Sequence, residues 1–393
     1  MSLQNSYQHI DNSKSIIDPF FNSLDQYASR NALWVDKNYK TYAELFELAK
    51  KPALWLNQFD SERVLIFSQR TLPAYQGILA SLMVGKAYVP LNPKMPAPRN
   101  AMMVDLVDSN LVLADHHELK QLMEVLSEFP NSTFEVLVLN HEDESPLDGA
   151  QSNIKIHYLD QITTEIDFKP TPHESTNDDA CLLFTSGSTG KPKGVMLSHE
   201  NILSYIRHTI ERYRVTKDDR ISQITELTFD FSVQDIFMSW AVGACVYAFP
   251  ENYFIGLPRY LNENKITFMT TVPSTARLLN NLGKLTKGSF PFLRQNIFGG
   301  EPFSDSIAAL WQDAAPNTII DNVCGPTEAT IAYLSYTWDK AVAEQKGPRD
   351  CIPLGHPFPG QEISILDTEL KPVRSSEIGE LYRKRHSNPI YTA

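Results

Sequence analysis

Disulfides, a zinc site and a membrane anchor are the first things this sequence argues against. Four cysteines occur in 393 residues, Cys181, Cys245, Cys324 and Cys351, and no two form a Cys-x-x-Cys pair. Neither a disulfide framework nor structural zinc is expected, and a reducing cytoplasm is the simplest compartment. Residues 1–14 are polar and contain no apolar signal core. No run approaches the ~20 apolar residues of a membrane span, so no membrane partner is expected. The net charge is −12, which argues against a nucleic-acid partner while leaving room for a basic site inside a pocket. No repeat of solenoid period is present.

The length exceeds one typical core, so two or more subdomains are expected. Strand-like runs at 32–35, 40–42, 63–68, 87–90 and 110–114 alternate with helical patterns beginning at 42 and at 73–84 (amphipathic) and 99–108. This is the signature of an α/β layered fold with a mainly parallel sheet. Residues 145–175 read as a polar, irregular approach to the next segment, apart from a short apolar stretch at 154–159. A second set follows, with strands near 220–224, 244–249, 268–272, 295–298 and 318–322. Its helices lie near 199–213, 232–242, 258–264, 273–282 and 304–314. Beyond 336 short strands with Gly and Pro turns suggest a small β unit. The expected division is 1–180, 181–335 and a partial β subdomain at 336–393.

Phe184-Thr185-Ser186-Gly187-Ser188-Thr189-Gly190-Lys191-Pro192-Lys193-Gly194 is the most informative stretch. Its glycines permit sharp turns and close approach of backbone to a ligand. Exposed N–H groups form a nest for anions, hydroxyls add donors, and Lys191 and Lys193 add charge. A flexible polar linker has similar composition. However, an apolar run at 181–184 enters the loop and a patterned run at 195–197 leaves it, which reads as strand, loop, strand. It is not a Walker A motif, because Gly190-Lys191 is followed by Pro192 rather than Ser or Thr.

Asn322-Val323-Cys324-Gly325-Pro326-Thr327-Glu328 is the second signal. A strand runs into Gly-Pro, and ligands gather at the carboxyl ends of strands in open α/β sheets. Thr327 can donate to a phosphate oxygen, and Glu328 can hold Mg2+ shared with substrate phosphates. An ordinary turn is the plainer reading. The third signal is Phe229-Asp230-Phe231-Ser232. Asp230 there is either a carboxylate awaiting a cationic partner or the N-cap of the following helix.

The first two motifs together resemble the adenylate-forming superfamily, and the third resembles the amino-acid pocket of its nonribosomal peptide synthetase adenylation domains. Gly85-Lys86-Ala87-Tyr88-Val89-Pro90, Gly299-Gly300-Glu301 and Gly379-Glu380-Leu381-Tyr382 match further family segments, so the likeness runs along nearly the whole chain. The resemblance implies the layered αβαβα large N-terminal domain of these enzymes, followed by the start of a small β-barrel. It implies an ATP- and Mg2+-dependent amino-acid adenylating ligase that loads a carrier-protein thiol. The alternatives are an acyl-CoA synthetase-like enzyme, or a nucleotide and amino-acid binding module with little turnover.

By that resemblance the catalytic residues are Thr185, Thr189, Lys193, Thr327 and Glu328, with Glu328 the metal ligand. ATP is expected at Thr185, Ser186, Gly187, Ser188, Thr189, Gly190, Lys191, Gly300, Glu301, Pro302, Asn322, Val323, Cys324, Gly325 and Thr327. The amino acid is expected at Asp230, Phe231, Gln234, Thr271, Ile297, Gly299, Val323, Ile331 and Ala332. Asp230 would pair with the substrate's α-ammonium, and Asn322 would contact the adenine amino group. With Asp230 as the only charge of that wall, a neutral, small to medium side chain is favoured. Gln234 and Thr271 would serve one polar group or satisfy each other. Cys324 departs from the family's aromatic residue and cannot supply a stacking face for adenine. The family's later Tyr-Arg-Thr-Gly-Asp segment and C-terminal lid domain do not occur in these residues, so the chain is expected to be the large N-terminal portion.

Overall fold

The structure, a computed structural model, describes residues 8–140, 152–163, 168–171, 175–176, 178–186, 190–250, 254–346, 349–375 and 377–384. The strands of the first half build a seven-stranded sheet. Its order is Ile154–Tyr158, Phe134–Val138, Leu111–Ala114, Arg63–Phe67, Ala87–Leu91, Asp179–Ser186 and Pro192–Ser198. All neighbours run parallel except the last two, an antiparallel hairpin with Thr185 opposite Lys193.

A nine-stranded sheet follows the order His356–Pro357, Leu334–Thr337, Ile319–Cys324, Gln295–Gly299, Phe268–Thr271, Arg220–Gln223, Cys245–Ala248, Asn31–Val35 and Asn38–Thr41. Its centre is parallel and its two ends are antiparallel.

Fully apolar strands need cover on both faces, and the helices supply it. One core joins Val64, Ile66 and Leu113 of the first sheet to Ile221, Val246 and Ile297 of the second. Between the sheets lie helices Leu72–Met83 and Phe231–Ala241, the latter with all eleven residues buried. Helices Ala97–Val107 and Leu119–Leu126 cover the outer face of the first sheet. Helices Leu257–Glu263, Pro273–Asn281 and Asp305–Ala314 cover that of the second. The result is the expected five-layer αβαβα stack.

Local chemistry starts the helices where the sequence suggests. Thr41 and Glu44 form a reciprocal capping box at Tyr42–Leu56, and the Ser198 hydroxyl caps His199–Tyr213. The helix at 72–83 differs from expectation. It is not amphipathic, because in the middle layer both of its faces meet protein; Pro73 through Met83 are all buried.

The sheets also cross the boundary expected at 180/181. Strand Asn31–Val35 joins the second sheet, where Ala32 and Leu33 are fully buried. The hairpin that begins at Asp179 stays with the first. Strands Leu334–Thr337 and His356–Pro357 still belong to the nine-stranded sheet. Among the described residues, only Glu362–Leu366 and Glu380–Lys384 form a separate antiparallel pair. Among the described residues no helix is long and apolar enough to cross a membrane.

Candidate functional site

The central strands of the nine-stranded sheet end side by side at Gln223, Thr271, Gly299 and Cys324. Their loops surround a cavity of about 1000 Å3 whose lining includes Asp230, Phe231, Thr271, Gly300, Glu301, Val323, Gly325, Thr327 and Ile331. The second and third motifs therefore meet in one place. The first meets them too: strand Pro192–Ser198 lies against the short turn Thr327–Ala329. The phosphate-type loop is the tip of the hairpin, with Ser186 paired to Pro192. Gly187, Ser188 and Thr189 lie outside the described residues. Gly190 has a φ of +78°, Lys191 and Lys193 are exposed, and Arg99 Nη1 donates to the Gly190 carbonyl at 2.9 Å.

Asp230 occupies the N-cap position of Phe231–Ala241, but its side chain makes no capping hydrogen bond. Ser232 instead tightens the helix entry, its hydroxyl donating to the carbonyls of Phe229 (2.6 Å) and Leu227 (3.0 Å). The carboxyl faces the cavity with protein around it. Burial pushes it up to about 6; the Thr327 hydroxyl pulls the other way, and Glu328 adds to the rise. An ammonium ion there would favour the charged form. The sign follows for any cationic ligand group that would pair with it: as the pH falls through about 6 Asp230 becomes protonated and that attraction would be lost. We expect the apparent KM for an amino acid to climb about tenfold per pH unit below 6. Asp230→Asn should lack that inflection, which exchange kinetics between pH 5 and 8 would show.

Glu328 is partly buried and has no hydrogen-bond or ion-pair partner among the described residues. No group of three or more His, Cys, Asp or Glu that could hold a metal occurs among them. A lone carboxylate fits Mg2+, which completes its shell with substrate phosphates and water.

The remaining expected residues divide. Gly299 is a floor: a Cβ there would come within 2.8 Å of the Phe231 ring and the Val323 carbonyl. Ile297 and Ala332 are buried behind the wall. Gln234 has no exposed surface; its amide is bonded to Tyr205 and Thr270. Thr271 Oγ1 donates to Thr275 at 2.9 Å, so Gln234 and Thr271 neither satisfy each other nor share a partner. Asn322 Nδ2 donates to the Pro353 carbonyl at 3.1 Å, which leaves Oδ1 as the acceptor that an amino group requires. Glu301 is tied down by Ser274 N–H and Oγ, both 3.0 Å, and by Arg277; Pro302 follows it. Cys324 packs in a satellite cluster with Tyr333 and Leu334. Among the described residues, the aromatic ones that line the cavity are Phe229, Phe231, Phe249 and Phe254.

The cavity as a whole carries more charge than the nine expected amino-acid positions: Arg70, Lys94, Glu226 and Glu301 line it beside Asp230. Glu226 lies 3.8 Å from Arg70 Nη1 and 3.9 Å from Lys94 Nζ. No spacing pointed to Arg70 and Lys94, because they arrive on loops of the other sheet; Arg70 Nε is anchored on the Phe249 carbonyl at 3.1 Å.

A family model described as AMP-binding enzyme matches residues 20–388. Indigoidine synthase of Dickeya dadantii is 29% identical over 356 residues, 87% of this chain and 22% of that protein. Gramicidin S synthase 2 of Aneurinibacillus migulanus is 30% identical over 348 residues, 86% of this chain and 7% of that protein. The chain thus spans under a quarter of either relative. Among solved structures, IdnL7 superposes with a TM-score of 0.82 at 28% identity, covering 94% of this chain and 72% of that one. The Vibrio cholerae adenylation domain AlmE, in complex with glycyl-adenosine-5'-phosphate, superposes with a TM-score of 0.82 at 27% identity, covering 94% and 67%.

Proposed function

Because the chain belongs to the AMP-binding enzyme family, we propose that it activates an amino acid by adenylation, for transfer to a carrier-protein thiol. The observation that carries this is the meeting of Asp230 with Thr327 at one cavity, with the Glu328 charge close enough to raise the Asp230 carboxyl, beside the hairpin that bears the glycine- and lysine-containing loop. That arrangement offers an anchor for an ammonium group and a carboxylate for a cation, on the side of the fold where strand Pro192–Ser198 lies against Thr327–Ala329. The resemblance of the chain to AlmE, crystallised with an aminoacyl adenylate, and to large peptide synthases such as gramicidin S synthase 2 supports the same reading. It also supports the carrier protein as partner.

A carboxylate is a poor electrophile, and its attack on ATP brings two anions together. A substrate carboxylate oxygen bonds to the α-phosphorus, the bond to the bridging oxygen breaks, and pyrophosphate leaves. Little covalent work falls to the protein; positioning and charge neutralisation do most of it. Asp230 holds the ammonium end, so that the carboxylate points toward Thr327. Thr185, Thr189 and Lys193 hold the β- and γ-phosphates with the loop amides, and Lys191 adds a point charge. Glu328 would hold Mg2+, which when bound would supply charge neutralisation between carboxylate and phosphate. Asn322 Oδ1 takes the adenine amino group, against the Gly300–Glu301 turn held by Ser274.

ATP–pyrophosphate exchange with a panel of amino acids tests the proposal. At least one amino acid should drive exchange above the no-acid background. Thermal stabilisation by ligand without exchange would mark a binding module instead.

A further inference from the structure

Phe231 lines the cavity, and Gln234, three residues on along the same helix face, lies one turn deeper with no exposed surface. Both ends of its amide are consumed inside the fold. Tyr205 Oη donates to Gln234 Oε1 at 2.5 Å, and Gln234 Nε2 donates to Thr270 Oγ1 at 2.7 Å. Tyr205 sits on the helix His199–Tyr213, which contributes no residue to the cavity lining. Its ring is fixed from behind by Phe358, 6.2 Å away, which in turn stacks on His208 at 4.1 Å. Next to Gln234, the buried Asp235 keeps one carboxyl oxygen, Oδ2, without a partner. Burial holds that carboxyl well above the usual carboxylate range, so it stays protonated, and the tyrosine hydroxyl is the donor that the Gln234 carbonyl uses.

We propose that Tyr205 determines side-chain specificity from outside the cavity, by holding the Gln234 carbonyl inside the fold. With the amide so held, Gln234 is absent from the lining, to which Phe231, Val323 and Ile331 contribute apolar surface. Without the hydroxyl, Gln234 Oε1 becomes a buried acceptor with no donor, a costly state. The cheapest relief is rotation of the amide toward the cavity, where a substrate side chain can donate to it. The preference then moves from apolar side chains toward those with a hydroxyl or amide. This rests on the adenylation reading, and the experiment separates the two.

Tyr205→Phe is compared with the parent in pyrophosphate exchange, using pairs matched in volume: threonine against valine, and glutamine against methionine. The variant should shift the polar-to-apolar ratio of kcat/KM by about tenfold toward the polar member. Tyr205→Phe combined with Gln234→Leu, which removes the amide, should return the ratio to within about twofold of the parent. Thr270→Val frees the other end of the same amide and should shift the ratio in the same direction, even where Tyr205→Phe folds poorly. Parallel loss on both members of each pair, with a lowered Tm and an unchanged ratio, would make Tyr205 a packing residue and overturn the inference. Absence of exchange by the parent with every amino acid would overturn the adenylation reading, and this inference with it.

Discussion

Asp230→Ala is expected to lower kcat/KM for the preferred amino acid by about 100- to 1,000-fold, while the matching deaminated acid changes by less than about threefold. Removing one partner of a buried charge pair costs about 2–5 kcal/mol, and 1.4 kcal/mol is a factor of ten. The loss should be selective because the carboxyl acts only on the ammonium end of the substrate. Asp230 makes no capping bond in the helix it precedes, so the helix itself should tolerate the change. Exchange kinetics with both acids measure the effect. If the variant discriminates between them as the parent does, Asp230 has no part in ammonium recognition.

Glu328→Gln keeps the shape of the side chain and removes its charge. We expect ATP-dependent exchange to fall by about 100-fold, with a raised KM for Mg-ATP, because metal-borne charge stabilisation is worth several kcal/mol. Amino-acid affinity should stay within about twofold when measured calorimetrically without nucleotide. Asp230 should also titrate lower, since Glu328 is one of the charges that raise it. A variant that exchanges at the parental rate would remove Glu328 from the metal site.

The strands and helices of the second half were legible because each apolar run is short and most are bounded by polar or turn-forming residues. Helix His199–Tyr213 has the expected bounds. The three motifs were legible because each concentrates unusual chemistry in a few consecutive residues. What escaped was whatever depends on contacts between distant segments. The burial of Leu72–Met83 on both faces comes from the second sheet above it, which local periodicity does not encode. Arg70 and Lys94 reach the cavity from the first sheet, so the sequence around the three motifs did not announce these charges. Gln234 sits at a position that suggests ligand contact, and only the presence of Tyr205 and Thr270 shows that its amide is already occupied. The exchange of edge strands between sheets was equally hidden, because strand order is set by which apolar edge remains uncovered rather than by proximity in sequence.

That exchange of edges bears on how the chain is made. Leu33 finds its parallel partner in Val246, some two hundred residues further along. At about 5–20 residues per second of ribosomal synthesis, the hairpin of Asn31–Val35 and Asn38–Thr41 waits roughly 10–40 s with one apolar edge unmated. Nascent chains halted before Cys245–Ala248 emerges should bind chaperones and be cut by protease near residue 35. Chains halted after it should be protected there.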